Sequence, residues 1–220
     1  MTYVKRTLLV VLAAAALLGG TTVGGHAQES AAGPTGVWDL IAELRVAGEA
    51  RDGYAEAQFG HWADADHDGC DTRAEVLMDE AVVAPVRSAG CTLTGGRWFS
   101  YYDDTSVDGP SGLEVDHTVP LAEAWDSGAM EWDADRREAY ANDLDYPRTL
   151  VAVTAASHRA KGDQDPSTWL PSASDARCHY LDDWVAVKTR WNLAVDPMEQ
   201  AALERLADQC PDDALDVPLA

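Results

Sequence analysis

Leu113-Glu114-Val115-Asp116-His117-Thr118-Val119-Pro120 is the stretch on which the fold turns. Its apolar and polar residues alternate with the period of a half-buried strand, and Pro120, which has no N–H for a ladder, ends it. Side chains alternate between the two faces of a strand, so Asp116 and His117 leave its end in opposite directions. Working outward, Leu150-Val151-Ala152-Val153 is a short apolar run rich in β-branched residues and predicts a second strand. Ser157 is then read as the cap of a helical segment through Lys161, closed by Asp165-Pro166. That segment carries His158, 41 positions after His117, with Arg159 and Lys161 within the same turn. The order is a strand ending in Asp-His, a second strand, and a helix bearing a further ligand-type side chain.

Around this unit the patterns are mostly helical. Helices are predicted from Val37, from Arg73 to Met78, from Leu121 to Trp125 and from Asp133 to Leu144. Two more run from Asp175 to Asn192 and from Pro197 to Asp208, the last with Asp196 as its cap and proline at its first position. Arg97-Trp98-Phe99-Ser100-Tyr101-Tyr102, bounded by Gly95-Gly96 and an Asp-rich turn, reads as a strand. Trp125, Trp132 and Trp169 read as core rather than as a stacking platform.

The N-terminus has Lys5 and Arg6, an apolar run from Leu8 to Leu18, and small residues at Gly25 and Ala27, the pattern of an export signal over 1–27. A linker over 28–36 and a single domain over 37–220 follow. The run is short for a membrane span, so the mature chain is expected to be soluble and secreted. Cys70, Cys91, Cys178 and Cys210 all lie in the mature part, an even count that in an exported chain reads as two disulfides. Three pairings exist. Cys70–Cys91 with Cys178–Cys210 is favoured because each pair brackets one local segment, and CxxC zinc spacing is lacking.

Charge opposes a simple polyanion binder. The chain has 16 Lys+Arg against 38 Asp+Glu, a net charge of −22 that becomes −24 once Lys5 and Arg6 are removed with the signal. Any contact with nucleic acid must therefore rest on local cations and metal ions, not on the global field. Phosphodiester hydrolysis needs a nucleophile, a means of neutralising charge on the phosphoryl oxygens, and stabilisation of the leaving alkoxide. One divalent cation and one histidine supply these. Asp116 and His117 offer that pair, His158 a second ligand, and Arg159 with Lys161 the cations for phosphate.

At these residues the chain resembles the HNH endonuclease family, in its exported actinobacterial-type branch related to the C-terminal nuclease domain of GmrSD-like restriction enzymes. The matching motifs take in Asp66 to Arg73, Gly96 to Tyr102, Leu113 to Trp125, Asn142-Asp143-Leu144, Leu150 to Val153 and His158 to Pro171, nearly all of the mature chain. The resemblance implies His117 as general base with Asp116 and His158 as metal ligands. Its middle Asn, which braces the loop and orients the base, falls to Asn142, because the usual spacing back from His158 lands near Thr149. The implied fold is α+β, a ββα-metal (HNH, His-Me finger) core over about 112–166 with N- and C-terminal helices. The implied activity is a metal-dependent endonuclease using Mg²⁺ or Mn²⁺, with DNA favoured over RNA.

A second motif competes for metal. Asp64 to Glu75 fits a DxDxDG calcium loop, with Asp64, Asp66, Asp68 and Glu75 as side-chain ligands and a structural Ca²⁺ as the ion. The same stretch also reads as an Asp-rich turn leading to Arg73, a phosphate-binding or fold-bracing arginine. The rival to the enzyme reading is a noncatalytic, calcium-stabilised exported binding protein, in which Asp116-His117 is only structural.

Overall fold

The computed structural model describes residues 33–220. The expected signal peptide and residues 28–32 of the expected linker lie outside the described residues. The linker ends earlier than its composition suggests, because Thr35–Gly36 (β1) pairs antiparallel with Ala214–Leu215 (β8) near the C-terminus. Between them, in chain order, come α1 (Val37–Glu43), α2 (Thr72–Asp79), β2 (Val86–Arg87), β3 (Leu93–Thr94), β4 (Arg97–Ser100), β5 (Thr105–Asp108) and β6 (Leu113–His117). The remainder is α3 (Leu121–Asp126), α4 (Ala134–Ala141), β7 (Leu150–Thr154), α5 (Ala155–Lys161), α6 (Arg177–Arg190) and α7 (Pro197–Ala207). The fold is mixed α and β, its strands gathered among the described residues into two-stranded sheets.

The centre is the antiparallel pair of β6 and β7, in which His117 faces Leu150, Asp116 faces Val151 and Glu114 faces Val153. Period-two alternation sends Leu113, Val115, Leu150 and Ala152 into one apolar cluster with Val76 and Leu77 of α2 and Trp98 of β4. Val151 and Val153 join the larger core made with α1, α3, α6 and α7. Only Glu114 of the ten residues in the pair is not buried, so the half-buried strand read from the alternation is instead covered on both faces. α5 packs against both strands and is seven residues long, about two turns.

Local chemistry explains the boundaries. α5 is capped by Thr154, whose side chain accepts from Ser157 N at 3.2 Å, not by Ser157 as expected. β7 runs one residue further than its apolar run and delivers that threonine in extended backbone, which is what a cap needs. α4 stops at Ala141 with Asn142 as its C-cap, short of Leu144. β4 ends at Ser100, and the chain turns back into β5. Trp98 is fully buried with its indole N–H on Leu77 O at 2.7 Å. A Cβ on Gly96, at φ +79°, would stand 2.7 Å from that ring, so only glycine lets the strand start so close to it.

The C-terminal helices behave as read. Asp196 caps α7 in a capping box with Glu199, with proline at the first turn. The favoured disulfides are both formed: Cys70–Cys91 ties the start of α2 to the turn before β3, and Cys178–Cys210 ties α6 to the end of α7. Among the described residues no helix is long and apolar enough to cross a membrane.

Candidate active site

The end of β6, His158 in the middle of α5 with the turn after that helix, and residues of the 54–62 loop line a cleft of about 350 Å³. Asp116, His117 and His158 all line it, together with Glu114, Arg73 and Trp62. The three side chains that the sequence separates by 41 positions are therefore brought to one place.

His117 is held by a helix end. Ala141 is the last residue of α4, and its carbonyl is one of those a helix leaves without an internal partner. His117 Nε2 lies 2.9 Å from that oxygen. A carbonyl only accepts, so Nε2 carries the proton and Nδ1 is the bare nitrogen of a ring that lines the cleft. The ring lies between Trp62, at 5.6 Å and 29°, and Tyr140, at 6.2 Å and 26°. Burial pushes its pKa down to about 4, against the opposing pull of the Ala141 carbonyl and Asp116, so the imidazole is neutral at physiological pH.

Asp116 is buried and spends one oxygen. Its Oδ2 accepts from Tyr102 Oη and from Lys161 Nζ, both at 2.7 Å. Its Oδ1 faces His158 Nε2 at 3.6 Å. Two donor atoms each about 2.1 Å from a shared divalent ion sit about 3 to 4 Å apart, so this spacing fits a cation between them. A carboxylate with one imidazole is a donor set that Mg²⁺, Mn²⁺ and softer divalent ions all accept. Behind His158, its Nδ1 contacts Glu114 Oε2 without the alignment of a good hydrogen bond. Carboxylates in that place orient histidine ligands. Glu114 stands two residues before Asp116 on the same strand face, and the period of two is the sequence signal that marks it.

Two expectations need correction. Lys161 is not free for phosphate: it is fully buried, donating to Asp116 Oδ2 and, at 2.8 Å, to His117 O. The packing of α5 on the two strands turns this position inward, where an ammonium survives only beside a carboxylate. Asn142 does not touch His117 in any of its hydrogen bonds. Its Oδ1 accepts from Ala63 N at 2.9 Å and Thr72 Oγ1 at 2.8 Å, and its Nδ2 donates to Glu138 O and Gly60 O. It braces the loop that carries Trp62, while the Ala141 carbonyl orients the His117 ring.

The remaining residues fall in two groups. Arg73 lines the cleft, anchored by Nη2 on Leu113 O at 3.1 Å. Arg159 is exposed and reaches Glu114 at 3.5 Å. Of the calcium-loop residues, Asp64, Asp66 and Asp68 each offer an oxygen within 4.8 Å of the others, and Glu75 offers one to Asp68. The same carboxylates accept from the amides of Gly69, Asp68 and Cys70, and Arg87 pairs with Asp68 at 3.0 Å. Asp71 caps α2 by accepting from Ala74 N, which sets Arg73 in the helix's first turn.

The scaffold behind the cleft is a relay of buried polar contacts. Asp143 takes Arg190 Nε and Nη2 at 2.8 and 3.0 Å, Trp191 Nε1 at 3.0 Å and Thr149 Oγ1 at 2.8 Å. That fixes the connection from α4 to β7, hence the Ala141 carbonyl. Tyr140 donates to Val119 O, and Thr118 donates to Arg148 O at 2.6 Å, which pins the turn after His117.

Residues 88–206 match the family model described as GmrSD restriction endonucleases, C-terminal domain. That stretch includes Asp116, His117 and His158 and leaves Arg73 and the Asp64–Glu75 loop outside it. An uncharacterized secreted protein of Arthroderma benhamiae is 37% identical over 172 residues, 78% of this chain and 83% of that protein. No solved structure matches.

Proposed function

This chain belongs to the family of GmrSD restriction endonuclease C-terminal domains, and from that premise we propose that it is a secreted, metal-dependent endonuclease with a ββα-metal core. Export is supported by the signal-type N-terminus and by the similarity to the secreted protein of Arthroderma benhamiae. The core reading is supported by the succession of β6, β7 and α5. One observation carries the function: a neutral imidazole with a bare Nδ1 lines the same cleft as a carboxylate oxygen and an imidazole nitrogen spaced 3.6 Å apart.

In this reading His117 Nδ1 takes the proton from the water that attacks phosphorus. The helix-end carbonyl at Ala141 fixes its tautomer, and burial holds it unprotonated. Asp116 and His158 would hold the cation, which supplies charge neutralisation at the phosphoryl and departing oxygens. Lys161 and Tyr102 hold Asp116 by its other oxygen, so that Oδ1 is the one presented. Arg73, fixed on the start of β6, is the phosphate contact. Glu56, Glu114, Asp116 and Asp163 make the cleft wall acidic, so substrate approach depends on the bound cation.

The test is cleavage of plasmid, single-stranded DNA and RNA by the purified protein with Mg²⁺, Mn²⁺ or Ca²⁺, with and without EDTA. The protein should cut with Mg²⁺ or Mn²⁺, DNA first, and stop with EDTA. His117→Ala should be slower by roughly 100- to 10,000-fold, the contribution of a positioned base. Intact substrates under every metal, or undiminished cutting by His117→Ala, would overturn the reading.

A further inference from the structure

A different group of carboxylates gathers around Glu49, in the loop after α1. One oxygen each of Glu49, Glu123 and Asp126 lie within 4.8 Å of one another, and so do one each of Glu49, Asp165 and Asp196. Glu123 and Asp126 come from α3, Asp165 from the turn after α5, and Asp196 is the cap of α7. Glu49 thus stands between two acidic triads, one on α3 and the other at the turn after α5 and the cap of α7.

The four acids other than Glu49 are built alike. Each spends one oxygen on the protein. Glu123 Oε1 takes Ser127 Oγ and Lys188 Nζ, and Asp126 Oδ2 takes Arg51 Nε at 2.5 Å. Asp165 Oδ1 takes the amides and hydroxyls of Ser167 and Thr168, and Asp196 Oδ1 takes the amides of Met198 and Glu199. In every case the other oxygen receives no hydrogen bond among the described residues. The Asp126 side chain is 1% exposed, and its Oδ1 is buried with no partner at all. A buried acceptor left bare is rare enough to require a cause, and here it belongs to a carboxylate with two other acids beside it. Arg51 and Lys188 are the cations in contact, and Lys188 also serves Glu199.

We infer that Glu49, Glu123 and Asp126 form a binding site for a divalent cation of the Ca²⁺ class, separate from the cleft and from the Asp64–Glu75 loop, with Asp165 and Asp196 as further acidic neighbours of Glu49. Ca²⁺ accepts six to eight oxygens in loose geometry, which suits several carboxylates each fixed by one oxygen and offering the other. Mg²⁺ demands a tighter octahedron and keeps its waters, so it suits this set less. The ion would pin the loop after α1 to α3, the helix that follows directly on Asp116-His117.

The test is independent of nuclease activity. Calcium-45 binding and thermal melting are measured on EDTA-stripped protein carrying Asp66→Ala, which disables the other acidic loop. One Ca²⁺ per chain should bind and raise the melting temperature. Glu49→Gln in that background changes an exposed side chain with no hydrogen bond to lose, and should weaken binding about tenfold or more. Asp126→Asn should act alike, with circular dichroism checking that each variant is folded. No bound Ca²⁺ in the Asp66→Ala protein, or unchanged affinity in Glu49→Gln, would overturn the site and show that these acids share protons instead.

Discussion

Lys161 and Lys188 are both fully buried and both sit among carboxylates, yet one borders the cleft and the other closes the core beneath α6 and α7. Lys188 Nζ is saturated: it meets Glu123, Ser127 Oγ, the Ala194 carbonyl and Glu199. Glu199 is saturated in turn, by Trp184 Nε1 at 2.6 Å and by Asp196 N at 3.3 Å. Lys161 has only Asp116 Oδ2 and the His117 carbonyl, and Asp116 keeps Oδ1 for the cleft. Burial disfavours both ammonium ions. At Lys161 burial prevails and the pKa falls, whereas at Lys188 Glu199 and Glu123 overcome it and the pKa rises. Lys188 is thus scaffold, its ammonium spent on four acceptors in the closed core, whereas Lys161 is part of a site, because the carboxylate it holds keeps an oxygen facing the cleft.

The largest expected effect tests that distinction. Lys188→Met strands Glu123 and Glu199 together and should lower unfolding free energy by about 3–5 kcal/mol in urea titrations. Lys161→Met should be similarly costly in EDTA, since it strands Asp116. Mg²⁺ should then return part of the loss at Lys161→Met by neutralising Asp116, and little of it at Lys188→Met. An equal response to Mg²⁺ in the two variants would erase the contrast.

Glu80 is the sharper case of a mostly buried carboxylate with no cation in contact. Its Oε2 accepts from Ala152 N at 2.7 Å in β7, and burial lifts its pKa from 4.5 to about 7 despite that bond. A carboxyl raised in the folded state favours folding below pH 4.5, and that contribution is lost as pH climbs through 7. Glu80→Gln keeps an acceptor for Ala152 and removes the charge. It should gain up to about 3 kcal/mol at pH 8 and nothing near pH 4. A pH-independent difference between the two proteins would mean that Glu80 titrates normally.

What the sequence made legible follows from the range of the interactions. The order of β6, β7 and α5, the Asp196 cap and both disulfides are local or near-local patterns, and the alternation or the cap residue announces each. The partners of Asp116 could not be read this way. Tyr102 lies 14 residues before it, and Lys161 45 after, on elements whose facing depends on how α5 lands on the strands. Lys161 was expected at phosphate because it follows a ligand-type histidine in a chain short of cations, and the face it turns to the strands is set by how α5 packs on β6 and β7. Asn142 was assigned to the base because the resemblance demands an asparagine, yet a main-chain carbonyl, which no residue type reveals, performs that contact.

Glu114→Gln probes the outward side of Asp116. The His158 contact persists sterically but loses its charge, so the metal concentration giving half-maximal cleavage should rise about 10- to 100-fold. The rate at saturating metal and the melting temperature should stay near wild type, because Glu114 is part-exposed and outside both apolar clusters. An unchanged metal requirement would remove Glu114 from the support of His158.

The smallest effect separates the two arginines. Arg73 is held at one end by the Leu113 carbonyl and lines the cleft, so its guanidinium is preorganised toward phosphate. Charge-assisted hydrogen bonds of that kind are worth about 1.5–3 kcal/mol, and Arg73→Ala should lower kcat/KM by about tenfold or more. Arg159 has a side chain 67% exposed and only a 3.5 Å approach to Glu114, so solvent screens it, and Arg159→Ala should cost less than about fivefold. Salt dependence of substrate binding tells the roles apart. Losing a phosphate contact reduces the slope of log K against log salt by about one, and Arg73→Ala should show that reduction while Arg159→Ala should not. The reverse ranking would shift the phosphate track from the β6 side of the cleft to the α5 surface, and with it the face on which a polyanion approaches this acidic protein.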